Sequence, residues 1–148
     1  MALIDKITED VVKVPLKSTT KPEVLKELLQ ILVANGQVKD EASVYNALLE
    51  REGLGSTGLE NGIAVPHAKT PAVDDLRIAI GIAPKGIEFQ ALDGGLSTLF
   101  FMILAAPDQS GLHIEALSEI AGMSRSTAFL RSLVAASTPG EVVRLIHE

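Results

Sequence analysis

Apolar residues recur along this chain at two alternating periods. Val24, Leu25, Leu28, Leu29, Leu32 and Val33 keep helical spacing, behind a Thr20-Lys21-Pro22-Glu23 capping box with proline in its first turn. Gly36 stands where a glycine ends such a helix. The spacing predicts a second helix from near Asp40, through Val44, Ala47 and Leu48, to just before Gly53. Leu76, Ile78, Ile80 and Ile82 then alternate with Arg77, Ala79 and Gly81, a period-two strand. Leu99-Phe100-Phe101-Met102-Ile103-Leu104 is apolar at every position, as a central strand covered on both faces must be. A helix carrying Leu117, Ile120 and Ala121 follows, with His113 in its opening turn. Another runs near Ser126 to Ala136, with Phe129, Leu130, Leu133 and Val134 inward. Thr138-Pro139-Gly140-Glu141 caps a last short helix.

Two stretches are less regular. Ile4 to Leu16 is read as a strand or extended segment ending at Pro15, and Ile87-Glu88-Phe89 as a short edge strand. No internal repeat, low-complexity tract or domain-sized linker interrupts the alternation. The expected fold class is α/β: a single domain over residues 1–148, with a mixed central β-sheet flanked by helices on both faces.

Between the second helix and the alternating strand lies the stretch that carries the chemistry. Gly53, Gly55, Gly58 and Gly62 break a loop that leads into Ile63-Ala64-Val65, a short apolar strand. Pro66 cannot donate to a sheet ladder, so the strand is expected to stop there, with His67 at its carboxyl edge. Open α/β sheets commonly place their sites at that edge.

Composition narrows what such a site could do. The chain has 148 residues, 47% hydrophobic and 22% charged, enough for a sizeable core. It has no cysteine, which removes disulfides, thiolate chemistry and cysteine-ligated zinc. A net charge of −6, one tyrosine, four phenylalanines and no tryptophan argue against nucleic acid as a partner. Charge follows Met1-Ala2-Leu3-Ile4 at once, and the longest apolar run, Leu99 to Pro107, is far too short to cross a bilayer. A soluble, cytoplasmic protein with no membrane insertion is expected.

Site chemistry then rests on His67 and His113, since His147 is read as solvated tail. A histidine beside an apolar strand can be a base, a metal ligand, a nucleophile or a packed core residue. Around His67 the sequence supplies the cations Arg51 and Lys69, the hydroxyls of Ser56 and Thr57, and glycines that free backbone N–H groups. That donor set suits a phosphoryl group with its several oxygens. Arg51 also suits the carboxyl end of its own helix, which is the competing structural explanation for it. A metal site ranks lower, because His113 and Glu115 point different ways on a helix and no HExxH spacing exists. A serine hydrolase built on Ser56 lacks a GxSxG elbow, and the glycine loop lacks the Gly-Lys-Ser/Thr ending of a P-loop.

The run Arg51-Glu52-Gly53-Leu54-Gly55-Ser56-Thr57-Gly58, continued by Asn61-Gly62-Ile63-Ala64-Val65-Pro66-His67, resembles the active-site signature of the fructose/mannitol-type enzyme IIA family. These are components of the phosphoenolpyruvate-dependent sugar phosphotransferase system. The similarity extends through Pro107-Asp108-Gln109-Ser110-Gly111-Leu112-His113 and Leu117-Ser118 to the Thr138 cap, essentially the whole chain. The chain also resembles the stand-alone nitrogen-regulatory members of the family, with no fused enzyme IIB cysteine motif or membrane-spanning IIC segment in view.

The resemblance implies that His67 is the phosphoacceptor, His113 the second active-site histidine and Arg51 the active-site arginine; Ser56 and Thr57, from the donor set around His67, are expected to bind phosphate. It implies no metal and no organic cofactor. It implies a histidine-containing phosphocarrier protein, or its nitrogen-branch counterpart, as donor. The acceptor would be an enzyme IIB or a regulatory target protein. Two positions depart from the family's pattern: Glu60 replaces a small residue, usually glycine, and Ala68 replaces a common glycine after the histidine. If Glu60 turned inward it could pair with Arg51 and disfavour the phosphorylated form.

Overall fold

The computed structural model describes residues 3–148. After two single 3-10 turns come β1 (Val12–Lys13), α1 (Lys21–Ala34), α2 (Glu41–Gly53), β2 (Ile63–Ala64), β3 (His67–Lys69), β4 (Arg77–Ile87), β5 (Ser97–Ala105), α3 (Ser110–Met123), α4 (Thr127–Ala135) and α5 (Pro139–His147). The sheet is mixed. β4 and β5 run antiparallel at its centre, β1 lies parallel to β4, and β2 and β3 lie parallel to β5 on the far edge.

The period-two pattern sorts the sheet's side chains onto two helical layers. Phe100, Met102 and Leu104 of β5 face α1 and α2, where Leu25, Leu28, Leu29, Leu32, Val44 and Leu48 are buried. Phe101, Ile103 and Ala105 face α3, α4 and α5, together with Ile78, Ile80 and Ile82 of β4. The small residues of β4 answer large ones on α1: a Cβ at Gly81 would come within 2.8 Å of Leu28 and 2.7 Å of Leu16. The mixed sheet between two helical layers is the expected fold class.

Helix boundaries follow their caps. Thr20, Asp40, Ser126 and Thr138 each accept a hydrogen bond from the backbone N–H three residues on. α1 closes in a Schellman motif, Gln37 N–H to Leu32 O and Gly36 N–H to Val33 O at 3.0 Å each, with Gly36 at φ 70°.

Four local expectations are corrected. The first segment is broken by 3-10 turns at Ile4–Lys6 and Glu9–Val11 rather than extended throughout, with Val12–Lys13 as its strand, paired to Ile80 and Gly81. Ile87 is the last residue of β4, and Glu88 and Phe89 form no edge strand; Phe89 is instead fully buried against Phe100. His147 is not a free tail, because its Nε2 lies 3.0 Å from the Ile7 carbonyl and so ties α5 to the amino-terminal turn. β2 does stop before Pro66, but His67 opens a further strand rather than ending one. The Pro66 carbonyl accepts from Ile103 N–H at 2.9 Å, and pairing resumes with His67 opposite Ile103. Proline removes one donor without diverting the chain, which an edge position tolerates.

Candidate functional site

The broken edge strand lets both helical layers reach one spot. His67 shares the register of Ile103, whose side chain faces α3, α4 and α5. Ala68, the next residue, turns the other way and is buried against the α1 and α2 layer. α2 therefore ends beside β3 and delivers Arg51, while the first turn of α3 delivers His113 from the opposite face. Arg51, His67, Lys69 and His113 line one cleft of about 490 Å³, with Glu50, Leu54, Ile114 and Leu117.

A tight hairpin holds the histidine from outside. Leu59 N–H donates to Ile63 O at 2.8 Å and Val65 N–H to Thr57 O at 3.0 Å, with Asn61 and Gly62 at the turn. Both turn residues have positive φ, 60° and 80°, as a type I′ turn requires. A Cβ at Gly62 would also approach Thr98 Oγ1 to 2.7 Å. The Asn-Gly dipeptide was the signal for this hairpin, and it was legible; the glycines alone predicted only a loop.

His67 Nδ1 lies 2.7 Å from the Val65 carbonyl oxygen. A carbonyl can only accept, so Nδ1 carries the hydrogen and Nε2 keeps its lone pair. Burial first, and the Arg51 charge after the opposing Val65 bond, hold the ring's pKa below its ordinary value; Glu52 opposes weakly. His113 is 5% exposed, and its pKa is pushed down to about 4 by burial, then by His67 and Lys69. The two rings meet edge to face, centroids 5.1 Å apart at 77°. Nε2 of His113 is buried and has no hydrogen-bond partner among the described residues.

α3 is pinned at its start so that His113 stays in place. Gln109 accepts from Ala106 N–H at 3.1 Å and donates to Asp75 at 3.0 Å, and Asp75 pairs with Lys6 at 2.7 Å. Lys69 Nζ donates to Ser110 Oγ at 2.9 Å, which keeps a second cation at the cleft. Arg51 Nη1 donates to Gly55 O at 2.9 Å and so points into the loop before His67, as its sequence position implied.

Ser56 and Thr57 are placed differently from what their residue types implied. Ser56 Oγ donates to Phe89 O at 2.6 Å. The Thr57 hydroxyl donates to Glu52, and Thr57 N–H lies 3.0 Å from the same carboxylate. Both residues line a smaller inner cavity of about 230 Å³ beside His67, yet their hydroxyl hydrogens serve the loop. Glu52, in the sequence only a member of the Arg51-to-Gly58 run, pairs with Lys21 at 3.6 Å. The only hint of its bond to Thr57 was that Glu52 sits five residues before it. Glu60 is exposed, beside Asn61, Leu92 and Arg125 in a different depression, and does not meet Arg51.

The family model described as the phosphoenolpyruvate-dependent sugar phosphotransferase system, EIIA 2, matches residues 5–148. The chain belongs to this family. It is 31% identical over its whole length to the fructose-specific EIIABC component of Bacillus subtilis, of which it spans 23%. It is also 35% identical over 125 residues to the nitrogen regulatory protein of Escherichia coli, covering 82% of this chain and 76% of that one.

Solved structures agree. The nitrogen regulatory protein IIA-Ntr of Neisseria meningitidis superposes with a TM-score of 0.90 at 27% identity, over 99% of each chain. A complex of the Escherichia coli mannitol enzyme IIA with phosphorylated enzyme IIB contains a chain similar at TM-score 0.81 and 25% identity, over 96% of this chain and 97% of that one. Among the described residues no helix is long and apolar enough to cross a membrane.

Proposed function

We propose that His67 accepts a phosphoryl group on Nε2 from a phosphohistidine of a donor protein and passes it on. The observation that carries this reading is the Nδ1 bond to the Val65 carbonyl, which leaves Nε2 as the free lone pair beside the cleft. The step balances simply. The Nε2 lone pair forms the new N–P bond as the donor's P–N bond breaks, and the donor imidazole keeps that electron pair. The hydrogen stays on Nδ1, donated to Val65 O, so no proton needs to move. Because the ring's pKa is held low, it is neutral and nucleophilic at pH 7.

Charge on the transferring group is met from several sides. Only one of Arg51's guanidinium hydrogens is committed to Gly55, and the rest can face phosphoryl oxygens. Lys69 is held only by a neutral hydroxyl, and His113 offers a ring nitrogen already stripped of water. Such preorganised donors in a partly dry cleft are the largest single contribution to phosphoryl transfer. Ser56 and Thr57 shape the wall; direct contact with phosphate would require their hydroxyls to leave Phe89 and Glu52.

The donor is a histidine-containing phosphocarrier protein, and the acceptor an enzyme IIB or a regulatory target. Leu54, 84% exposed, and Ile114, 68% exposed, stand at the cleft mouth, which fits a macromolecular partner better than a free sugar. A stand-alone regulatory role uses the same site, since about two added negative charges change which partner surface the cleft tolerates. The nitrogen regulatory relatives favour this second reading. A cytoplasmic location goes with both.

Incubation with phosphoenolpyruvate, enzyme I and the carrier protein should add one acid-labile, base-stable phosphoryl group. His67→Ala should abolish it, and undiminished labelling would remove His67 from the reading.

A further inference from the structure

Behind the hairpin, a series of hydrogen bonds runs from a buried ion pair to the ring of His67. Glu52, with its side chain only 5% exposed, sits 3.6 Å from Lys21 Nζ. Lys21 is in turn held over the Phe89 ring at 4.6 Å and against Gln90 at 3.2 Å. The Glu52 carboxylate receives Thr57 N–H, at 3.0 and 3.1 Å to its two oxygens, and the Thr57 hydroxyl. Thr57 O receives Val65 N–H at 3.0 Å. Val65 O receives His67 Nδ1–H at 2.7 Å. Each group in the series is fixed by the one before it.

We propose that Glu52 is a positioning residue that, through Thr57 and Val65, fixes which ring nitrogen of His67 is free to take the phosphoryl group. This deepens the phosphoryl-carrier reading and rests on it for its functional consequence. A free neutral imidazole places its hydrogen on either nitrogen, and a neighbouring acceptor selects one of them. The Val65 carbonyl selects Nδ1 only while it stays in reach and in line. Val65 presents both its N–H and its carbonyl to the outer side of the edge strand: Thr57 O holds the N–H, and Pro66 O, one residue on, returns to the ladder by accepting from Ile103 N–H. Thr57 thus fixes Val65 from outside, and with it the direction of the Val65 carbonyl, and Glu52 is what holds Thr57. Polar groups of this kind are strongly directional when buried, and Lys21 keeps the carboxylate charge compensated.

The same carboxylate bends the chain from the end of α2 into the hairpin. Arg51 Nη1 bonds Gly55 O inside that bend. Loss of Glu52 would therefore loosen the nucleophile and its cation together.

The test reads the tautomer directly. Long-range ¹H–¹⁵N spectra of the unphosphorylated chain should show His67 as the Nδ1–H form alone, with Nε2 bare. In Glu52→Ala a substantial share of the Nε2–H form should appear, and the initial phosphorylation rate should fall roughly tenfold to a hundredfold, the usual effect of losing a group that orients an imidazole. Glu52→Gln keeps an oxygen for Thr57 N–H and should restore most of the Nδ1–H form. If Glu52→Ala does not fold, Thr57→Val removes the hydroxyl alone and should give an intermediate population. An unchanged tautomer in a folded Glu52→Ala, or in Thr57→Val, overturns the proposal. Because the spectrum needs no phosphate, a tautomer shift in a chain that is never phosphorylated would retain Glu52's positioning role and reject the carrier reading instead.

Discussion

Nδ1 of His67 lies 2.7 Å from the carbonyl oxygen of Val65, two positions back along its own edge strand. That contact turns a histidine that could serve several chemistries into one with a defined free nitrogen. Val65 turns its N–H toward Thr57 on the outer side of the edge strand, so its carbonyl stays out of the ladder with β5 and is open to the ring.

Acidification should destabilise the fold through the paired rings. Both His67 and His113 have lowered pKa values, His113 down to about 4 from an ordinary 6.5. The unfolded chain therefore takes up these protons first as pH falls. Stability should be full above about 6.5, decline below it, and His113's share should be lost by about pH 4. Urea midpoints across that window should fall in the native chain and fall less in His113→Phe, which cannot bind the proton. Parallel curves would show that the buried ring is not what titrates.

Arg51→Ala should slow phosphorylation on the order of a hundredfold, the typical cost of one preorganised donor. Arg51→Lys should recover only part of it. An ammonium cannot hold Gly55 O and present a planar fork to phosphoryl oxygens at once. Rapid-quench rates at saturating donor would separate this from weaker docking. Full activity in the lysine variant would mean that only point charge matters.

Glu60→Gly should leave the phosphorylation rate unchanged. The carboxylate that departs from the family's pattern is exposed and sits with Arg125 and Leu92, away from Arg51. Surface substitutions of this kind stay within about 0.5 kcal/mol. A clear acceleration would place that carboxylate's field in the cleft.

Gly62→Ala should be costly, on the order of 1–3 kcal/mol, from a positive φ alone. The added Cβ would also meet Thr98 Oγ1 at 2.7 Å. Adding Thr98→Ala should recover only the steric share, because φ near 80° remains. Chemical denaturation of the single and double variants checks both parts. Complete recovery would show that the backbone carries no strain there.

Much of this arrangement was legible because local rules act locally. The Thr20 and Thr138 caps, the Leu-rich face of α1 and the double-sided burial of β5 each follow from spacing within one element. Arg51, His67 and His113 were nameable because each sits at a helix end, a strand or a helix start where chain direction predicts its neighbourhood. The positions that escaped depend on contacts distant in sequence. Glu52 looks like any charged residue at a helix end until Lys21 arrives from 31 positions earlier. Ser56 and Thr57 look like phosphate donors until Phe89 and Glu52 take their hydrogens. Pro66 reads as a stop because it cannot donate to a ladder, but the register with β5 carries pairing past it.

The central claim is that the phosphoryl group sits on Nε2 of His67, with Nδ1 still bonded to Val65. Phosphorylated, ¹⁵N-histidine-labelled chain, prepared with phosphoenolpyruvate, enzyme I and the carrier protein, tests it in one spectrum. One-bond ³¹P–¹⁵N coupling to Nε2 of His67 and a retained proton on Nδ1 are expected. Coupling to Nδ1, or phosphate on His113 or His147, would contradict it.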